Sequence, residues 1–411
     1  MIGYMFLVLF FICLPWTWIN VLPISVNVRP SLAVAILATF YCILFRKIKL
    51  NRRDINILIS IFIYCGLLLL PAFLYDYPHW DVFKVLSQLV YLVLAFYMAK
   101  LYYVVWISMG EKWDMAWQLL VISTIVSIVV AFNTAFGSIV INPNVKNSSE
   151  FIFGNLYSGV FNEGGKSIRH TMATVPVIVI VFSLLNFKYS PKLSGVAIVI
   201  SSYFAIYPFS RSAWLMLALI LVLFGRIYLV LSANSILRLL LFLTLASLVL
   251  LLLVLFTPST VSFFGSLMVD RMSDSQSGEG RFLAVWFVLT QTSLEEFLLG
   301  YDRDGQPLPH NFVLDALMQA GAFGMMGAFV AFYFLAKFSC KAFLSGNSKD
   351  LVIAMLAIPA LVRFFTAGSG LHIGELFGAF VLYVLSTAMQ KNVMTDNRME
   401  SGSKLLFEHV K

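Results

Sequence analysis

Side chains able to do chemistry crowd one stretch of an otherwise apolar chain. Arg281, Glu295, Glu296, Asp302, Arg303, Asp304, His310, Asn311 and Asp315 all lie between Gly278 and Gly327, in GEGRFLAVWFVLTQTSLEEFLLGYDRDGQPLPHNFVLDALMQAGAFGMMG. His310 is the one histidine of the long polar loop, and Pro309 ends that loop. A helix is expected to begin at or after Asn311, which puts the imidazole at a helix N-terminus. The helix dipole opposes an imidazolium there, so the ring is expected to be neutral and able to take a proton. Asp315, about one turn further on, is spaced to orient it. The plainer role for His310 is a helix-entry residue capped by Asn311.

Arginines at helix mouths supply the second kind of chemistry. Arg211 sits in YPFSRSAWLML, at the seam of two apolar runs. A charge at that depth costs about 3 kcal/mol unless it reaches water or a partner. The Ser-Arg-Ser turn is too short to carry it far from the membrane surface, where an anionic headgroup or a lipid-linked phosphate would meet it. The plainer role is snorkelling to the interface. Arg281 follows SDSQSGEG and opens the apolar segment RFLAVWFVL, long enough for a helix lying in the interface. An arginine at a helix start is disfavoured by the macrodipole, so an anion should compensate it, either Glu279 or a ligand. Arg363 and His372 flank the turn AGSG. Arg169 precedes His170 at the mouth of another apolar run, with Glu163 nearby. These four are candidates to line the same cavity.

The elements that must hold these residues are membrane helices. The chain has 411 residues, 60% hydrophobic and 12% charged, and its mean hydropathy is +0.90. Soluble domains carry about 25% charged residues, and no soluble fold could hide so much apolar surface. Roughly twelve apolar runs recur: Tyr4–Ile19, Ser31–Phe45, Ile55–Leu74, Val82–Met98, Met115–Phe136, His170–Leu185, Leu193–Pro208, Ala213–Phe224, Leu239–Phe256, Asn311–Ala336, Leu351–Thr366 and His372–Met389. The first lacks a basic n-region and a cleavage site, so it reads as a spanning helix. The short runs after Pro191 and before Arg226 are expected to be tilted or partly unwound. The expectation is an all-α polytopic membrane protein of about twelve transmembrane helices. Residues 1–390 form a single transmembrane domain, with long loops at about 137–169 and 257–310, and 391–411 form a polar cytoplasmic tail.

Basic residues set the orientation. The loop RKIKLNRR (Arg46–Arg53) is cytoplasmic. Alternation then places Lys100, Lys112, Lys188, Lys192, Arg226, Arg238, Lys337, Lys341, Lys349 and the tail on the same side, 18 of the 28 basic residues in all. Both termini are then cytoplasmic. Lysine outnumbers arginine twelve to six inside, while arginine outnumbers lysine seven to three outside. Arginine offers a planar fork of donors suited to phosphate or carboxylate, so the outer face is expected to handle an anion. The alternative is pairing with neighbouring glutamates and aspartates. The net charge of +8 follows from basic cytoplasmic loops, and nucleic acid is not an expected partner.

Several chemistries lack their signatures. The four cysteines are isolated and suggest neither a disulfide framework nor a metal site. No HExxH, GxSxG or Walker pattern occurs, and no DxD motif points to a metal-dependent nucleotide-sugar mechanism. Neither metal nor cofactor is expected. Gly321, Gly324 and Gly327 would share one helical stripe and permit close helix packing. The hydropathy halves do not mirror each other, which weakens a transporter reading.

The order of motifs resembles the O-antigen polymerase/ligase superfamily of bacterial envelope biogenesis. It runs from a Ser-Arg-Ser at the outer end of a helix, through GEGR-F-x-x-x-W and Leu-Leu-Gly-Tyr, to HNFVLDALMQAGAFGMMG, and covers about 208–327. The resemblance implies a GT-C-like helical fold with a periplasmic loop and helix subdomain, in the bacterial inner membrane. It implies metal-independent, inverting glycosyl transfer from a glycan on undecaprenyl pyrophosphate to a glycan acceptor. Arg211 and Arg281 would hold the pyrophosphate and His310 would activate the acceptor hydroxyl, with Asn311 and Asp315 in support. The short span from Arg281 to His310 leaves little room to grip lipid A-core. That favours a polymerase of repeat units, working with a chain-length-regulating co-polymerase, over a ligase.

Overall fold

In the computed structural model the described residues are 2–16, 30–46, 50, 52–74, 82–136, 165–187, 190–208, 210–231, 286, 293–300, 312–345, 355, 357–359 and 361–362. Among them every regular element is helical. The order is α1 (Ile2–Cys13), α2 (Pro30–Tyr41), a π-helical turn (Cys42–Arg46), α3 (Arg52–Leu74), α4 (Val82–Met109), a 3-10 turn (Gly110–Lys112) and α5 (Trp113–Phe136). Then follow α6 (Gly165–Leu185), α7 (Pro191–Ile206), α8 (Arg211–Leu231), the short α9 (Leu294–Leu299) and the long α10 (Phe312–Ser345). The physical reason is backbone satisfaction: a helix closes its own hydrogen bonds where lipid offers none. Prolines at the first positions of α2 and α7 cost no bond there. Gly110, at φ 50°, stops α4 in the left-handed conformation that ends many helices.

Apolar runs and helices coincide wherever both are described, but the helix ends differ. α4 continues eleven residues past Met98, α8 continues past Arg226, and α10 continues past Lys337 and Lys341. A charged side chain does not interrupt the backbone ladder, so hydropathy ends a span earlier than hydrogen bonding does. α7 and α8 are continuous helices rather than partly unwound segments. The runs Leu239–Phe256 and His372–Met389 lie outside the described residues.

The outward faces are as apolar as the inward ones. α5 exposes Met115, Leu119, Ile122, Val126 and Val130 along one stripe and buries Trp113, Trp117, Leu120 and Ile128 on the other. A helix at a water interface would put polar residues on its outer stripe. Lipid contact explains the pattern, and the chain is a helical membrane protein. Three described stretches are long and apolar enough to cross a bilayer: Leu89–Met109, Trp113–Thr134 and Val313–Val330. The third is not a straight rod. Ala320 (φ −141°, ψ 25°) and Gly321 (φ 57°, ψ −148°) break α10 into two helices. The part after the break runs on to Ser345, about 35 Å at 1.5 Å per residue.

The chain divides into two compact units, 1–111 with 275–341 and 356–388, and 112–274 with 342–355 and 389–411. In the first, α2 packs on α1 and α4, and α3 and α1 pack on α4. A Cβ on Gly3 would lie 3.1 Å from both Leu101 and Val105 and 3.6 Å from Tyr41. Lys100 Nζ donates to Asp54 Oδ2 at 2.8 Å. These contacts put the start of α1, the end of α2, the start of α3 and the later part of α4 at one end of the unit. Lys100 therefore does not sit in a loop as a retention charge. It is buried inside α4 and paired.

In the second unit α6 is central. Every side chain from Met172 to Ser183 is buried. α6 packs on α7, α8 and α5, and α7 packs on α5 and α8. One end is tied by buried indoles: Trp113 Nε1 donates to Asn186 Oδ1 at 2.7 Å and Trp117 Nε1 to Ser194 Oγ at 3.3 Å. The other end is aromatic, with Phe132 4.7 Å from Phe204 and 6.3 Å from Tyr207 between ring centroids.

Candidate functional site

Arg211 opens α8, five residues beyond the end of α7 at Ile206. The Trp214 amide donates to the Ser210 carbonyl at 3.1 Å, so helical bonding begins at Ser210. The hydroxyls of Ser210 and Ser212 lie 2.9 Å apart and both serines are buried. The two small polar side chains turn inward while the arginine between them stays half-buried. A guanidinium at the first position of a 21-residue helix adds its charge to the positive end of the dipole. Two positive fields at one place favour an anion there.

Arg169 lies in the early turns of α6. The late end of α6 is bonded to the start of α5 through Asn186 and Trp113. The late part of α5 meets the late part of α7 through Phe132 and Phe204. The starts of α6 and α8 therefore share one end of the unit. Arg169 and Arg211, on separate helices and 42 positions apart, are brought to that end by their backbones. The indole-tied end carries Lys112 and Lys192 on its helix and turn residues instead.

Asp315 belongs to the first unit, in the first turn of α10, and is 1% exposed. A carboxylate suits the positive end of that helix. Gln319, one turn on, is also buried. His310, Asn311, Arg281, Glu163, Arg363 and His372 lie outside the described residues. Among the described residues no three histidine, cysteine, aspartate or glutamate side chains converge.

No protein-family model and no curated protein matches the chain.

The junction of α9 and α10 corrects the glycine stripe. Gly321, Gly324 and Gly327 do not line one continuous helix, because the break at Ala320–Gly321 separates the first from the others. Each still permits a close approach. A Cβ on Gly321 would overlap the Leu298 carbonyl of α9, and one on Gly324 the Ala316 carbonyl across the bend. One on Gly327 would come within 3.2 Å of Tyr64 Cα in α3. The start of α9 holds a motif that composition alone hides. Ser293 and Glu296 form a capping box: the Glu296 amide donates to Ser293 Oγ at 3.1 Å and the Ser293 amide to Glu296 Oε2 at 2.9 Å. The signal was present as Ser-Leu-Glu-Glu, a serine followed three residues later by glutamate.

Proposed function

We propose that this chain is a membrane glycosyltransferase that polymerises oligosaccharide repeat units carried on undecaprenyl pyrophosphate, at the outer face of a bacterial inner membrane. The observation that supports it most is that the starts of α6 and α8, the helix ends that carry Arg169 and Arg211, share one end of an apolar helical unit. A pyrophosphate on a lipid carrier reaches the membrane surface at that depth. The resemblance of 208–327 to the O-antigen polymerase/ligase superfamily supplies the reaction type.

In this reading His310 takes the proton of the acceptor hydroxyl. The freed oxygen attacks the anomeric carbon of the donor as its bond to the pyrophosphate oxygen breaks, inverting the configuration. Arg211 and Arg281 hold the departing pyrophosphate, whose charge a metal would otherwise neutralise. Asn311 and Asp315 support the base, and Arg169, Glu163, Arg363 and His372 line the cavity. Both termini and the loop Arg46–Arg53 are cytoplasmic.

The glycan profile of a deletion strain tests the reading. Core bearing a single repeat unit marks a polymerase. Bare core with lipid-linked polymer accumulating marks a ligase that transfers the glycan to lipid A-core. An unaltered surface glycan would overturn both. His310→Ala and Arg281→Ala should abolish assembly in protein that still inserts.

A further inference from the structure

We propose that the end of the first unit where α2 gives way to α3 binds an anionic glycerophospholipid, with Arg46 and Arg52 for the headgroup phosphate and Ile43, Leu44 and Phe45 for the acyl chains. The site belongs to the first unit and does not depend on the reaction assigned above.

The stretch 46–53, RKIKLNRR, holds five basic residues and no acid. Asp54, the next residue, is buried, and its charge is already met by Lys100 Nζ at 2.8 Å. Three of the five basic residues are arginine, half of the six arginines expected on that side. Retention of a loop in the cytoplasm needs only positive charge, which lysine supplies equally well. Arginine adds a planar fork of donors that takes a phosphate through two oxygens at once. Arg46 and Arg52 are both exposed.

Helix packing fixes the depth of these two residues. A Cβ on Gly3 would lie within 3.6 Å of both Leu101 in α4 and Tyr41 in α2. Lys100, the neighbour of Leu101, holds Asp54 of α3. The end of α2 and the start of α3 thus meet one turn of α4. Arg46 follows Tyr41 by five residues and Arg52 precedes Asp54 by two, so both lie beyond that turn, toward the later end of α4. Half-buried Tyr4, Tyr41, Tyr103 and Trp106 gather at the same end. Tyr41 stacks on Phe45 with centroids 6.2 Å apart, and Tyr103 meets Trp106 edge-on at 6.4 Å. Tyrosine and tryptophan collect where hydrocarbon meets the headgroups, so Arg46, about one turn past Tyr41, stands at phosphate depth. Just before it, Ile43, Leu44 and Phe45 are 51%, 61% and 77% exposed. Three consecutive positions of a helical turn point in widely different directions, so the turn stands clear of its neighbours and presents an apolar surface. A free phosphate makes no use of that surface. A lipid with a negative headgroup matches both the charge and the apolar turn beside it.

The test uses full-length protein, with phosphatidylglycerol as the probe and native mass spectrometry of lipid titrations as the readout. Wild type is compared with Arg46→Gln/Arg52→Gln and with Lys112→Gln/Lys192→Gln. The lysine pair is the control: both residues are exposed, both are expected on the same side, and the same charge is removed. Affinity for phosphatidylglycerol should fall about 30-fold in the arginine double variant, and stay within twofold of wild type in the lysine one. Phosphatidylcholine should not compete. Glycerol 3-phosphate, which has the phosphate without the chains, should not displace the lipid. In phosphatidylcholine nanodiscs a small fraction of phosphatidylglycerol should raise the thermal midpoint of wild type but not of the arginine double variant. An equal fall in both double variants would overturn the site and leave only a general attraction to basic surface. Equal binding of the two lipids by wild type would overturn it whether or not the variants fold. Displacement by glycerol 3-phosphate would overturn the lipid as occupant in favour of a free phosphate.

Discussion

Lys100 and Asp54 meet at 2.8 Å inside the first unit, with side chains 6% and 3% exposed. The lysine lies within Leu89–Met109, a stretch long and apolar enough to span the bilayer. The aspartate sits in the first turn of α3, where the helix dipole favours a negative charge. The Lys100 ammonium also lies 5.9 Å from the centroid of the Tyr103 ring. Each charge is tolerable because the other is there.

Breaking this pair leaves a buried charge uncompensated, at a cost of about 3 kcal/mol or more. Lys100→Met alone should lower the thermal midpoint of the purified protein more than Lys100→Met combined with Asp54→Leu. A double variant less stable than both singles would show that the charges do not depend on each other.

Trp113 makes a comparable tie in the second unit. Trp113→Phe keeps most of the ring but removes the indole donor to Asn186 Oδ1. An orphaned buried acceptor costs about 1–3 kcal/mol. Asn186 also donates to the Phe182 carbonyl at 2.9 Å, so Trp113→Phe with Asn186→Leu should recover only part of the loss. Denaturation midpoints of the two variants measure this.

Arg211→Lys separates charge from shape. Lysine keeps the positive charge but lacks the planar fork that binds a pyrophosphate through paired donors. Turnover should fall roughly 100-fold, the usual effect of losing one preorganised donor to developing charge. Retention of wild-type turnover would mean that Arg211 acts only at the lipid interface.

Orientation is open to direct measurement. Reporter fusions should place residue 50 in the cytoplasm and residue 145 outside it. The reverse pattern would move the arginine-bearing end of the second unit to the cytoplasmic side, where the proposed donor glycan is not displayed.

Among the described residues hydropathy located the long helices, because a run of apolar side chains has few other fates. It did not locate their ends. Lys100, Arg226, Lys337 and Lys341 carry charge, yet the backbone ladder runs straight through them. The Lys100 pairing joins residues 46 positions apart, and no local pattern specifies a partner at that range. The break at Ala320–Gly321 was hidden for a different reason. A glycine in an apolar run serves equally for helix packing and for a left-handed turn, and only the neighbouring backbone of Leu298 distinguishes them. The place of Arg211 at a helix start was legible because a charge in a three-residue turn between two apolar runs has nowhere else to go. Glu295 is exposed, and Glu296 turns back to cap its own helix.

The enclosure of α6 changes what that helix must satisfy. Its side chains from Met172 to Ser183 touch protein on every side, so lipid solubility places no demand on them. Volume does. An added methylene at Val177 or Ala173 has to displace a neighbour, and overpacking of this kind costs about 1–3 kcal/mol. On the outer stripe of α5, Leu119 or Val126 can exchange with any apolar residue of helical habit at little cost. Two apolar faces thus answer to opposite rules. The buried stretch of α6 is constrained like the interior of a soluble enzyme, and the outer stripe of α5 is as free as a solvent-exposed surface whose solvent happens to be hydrocarbon.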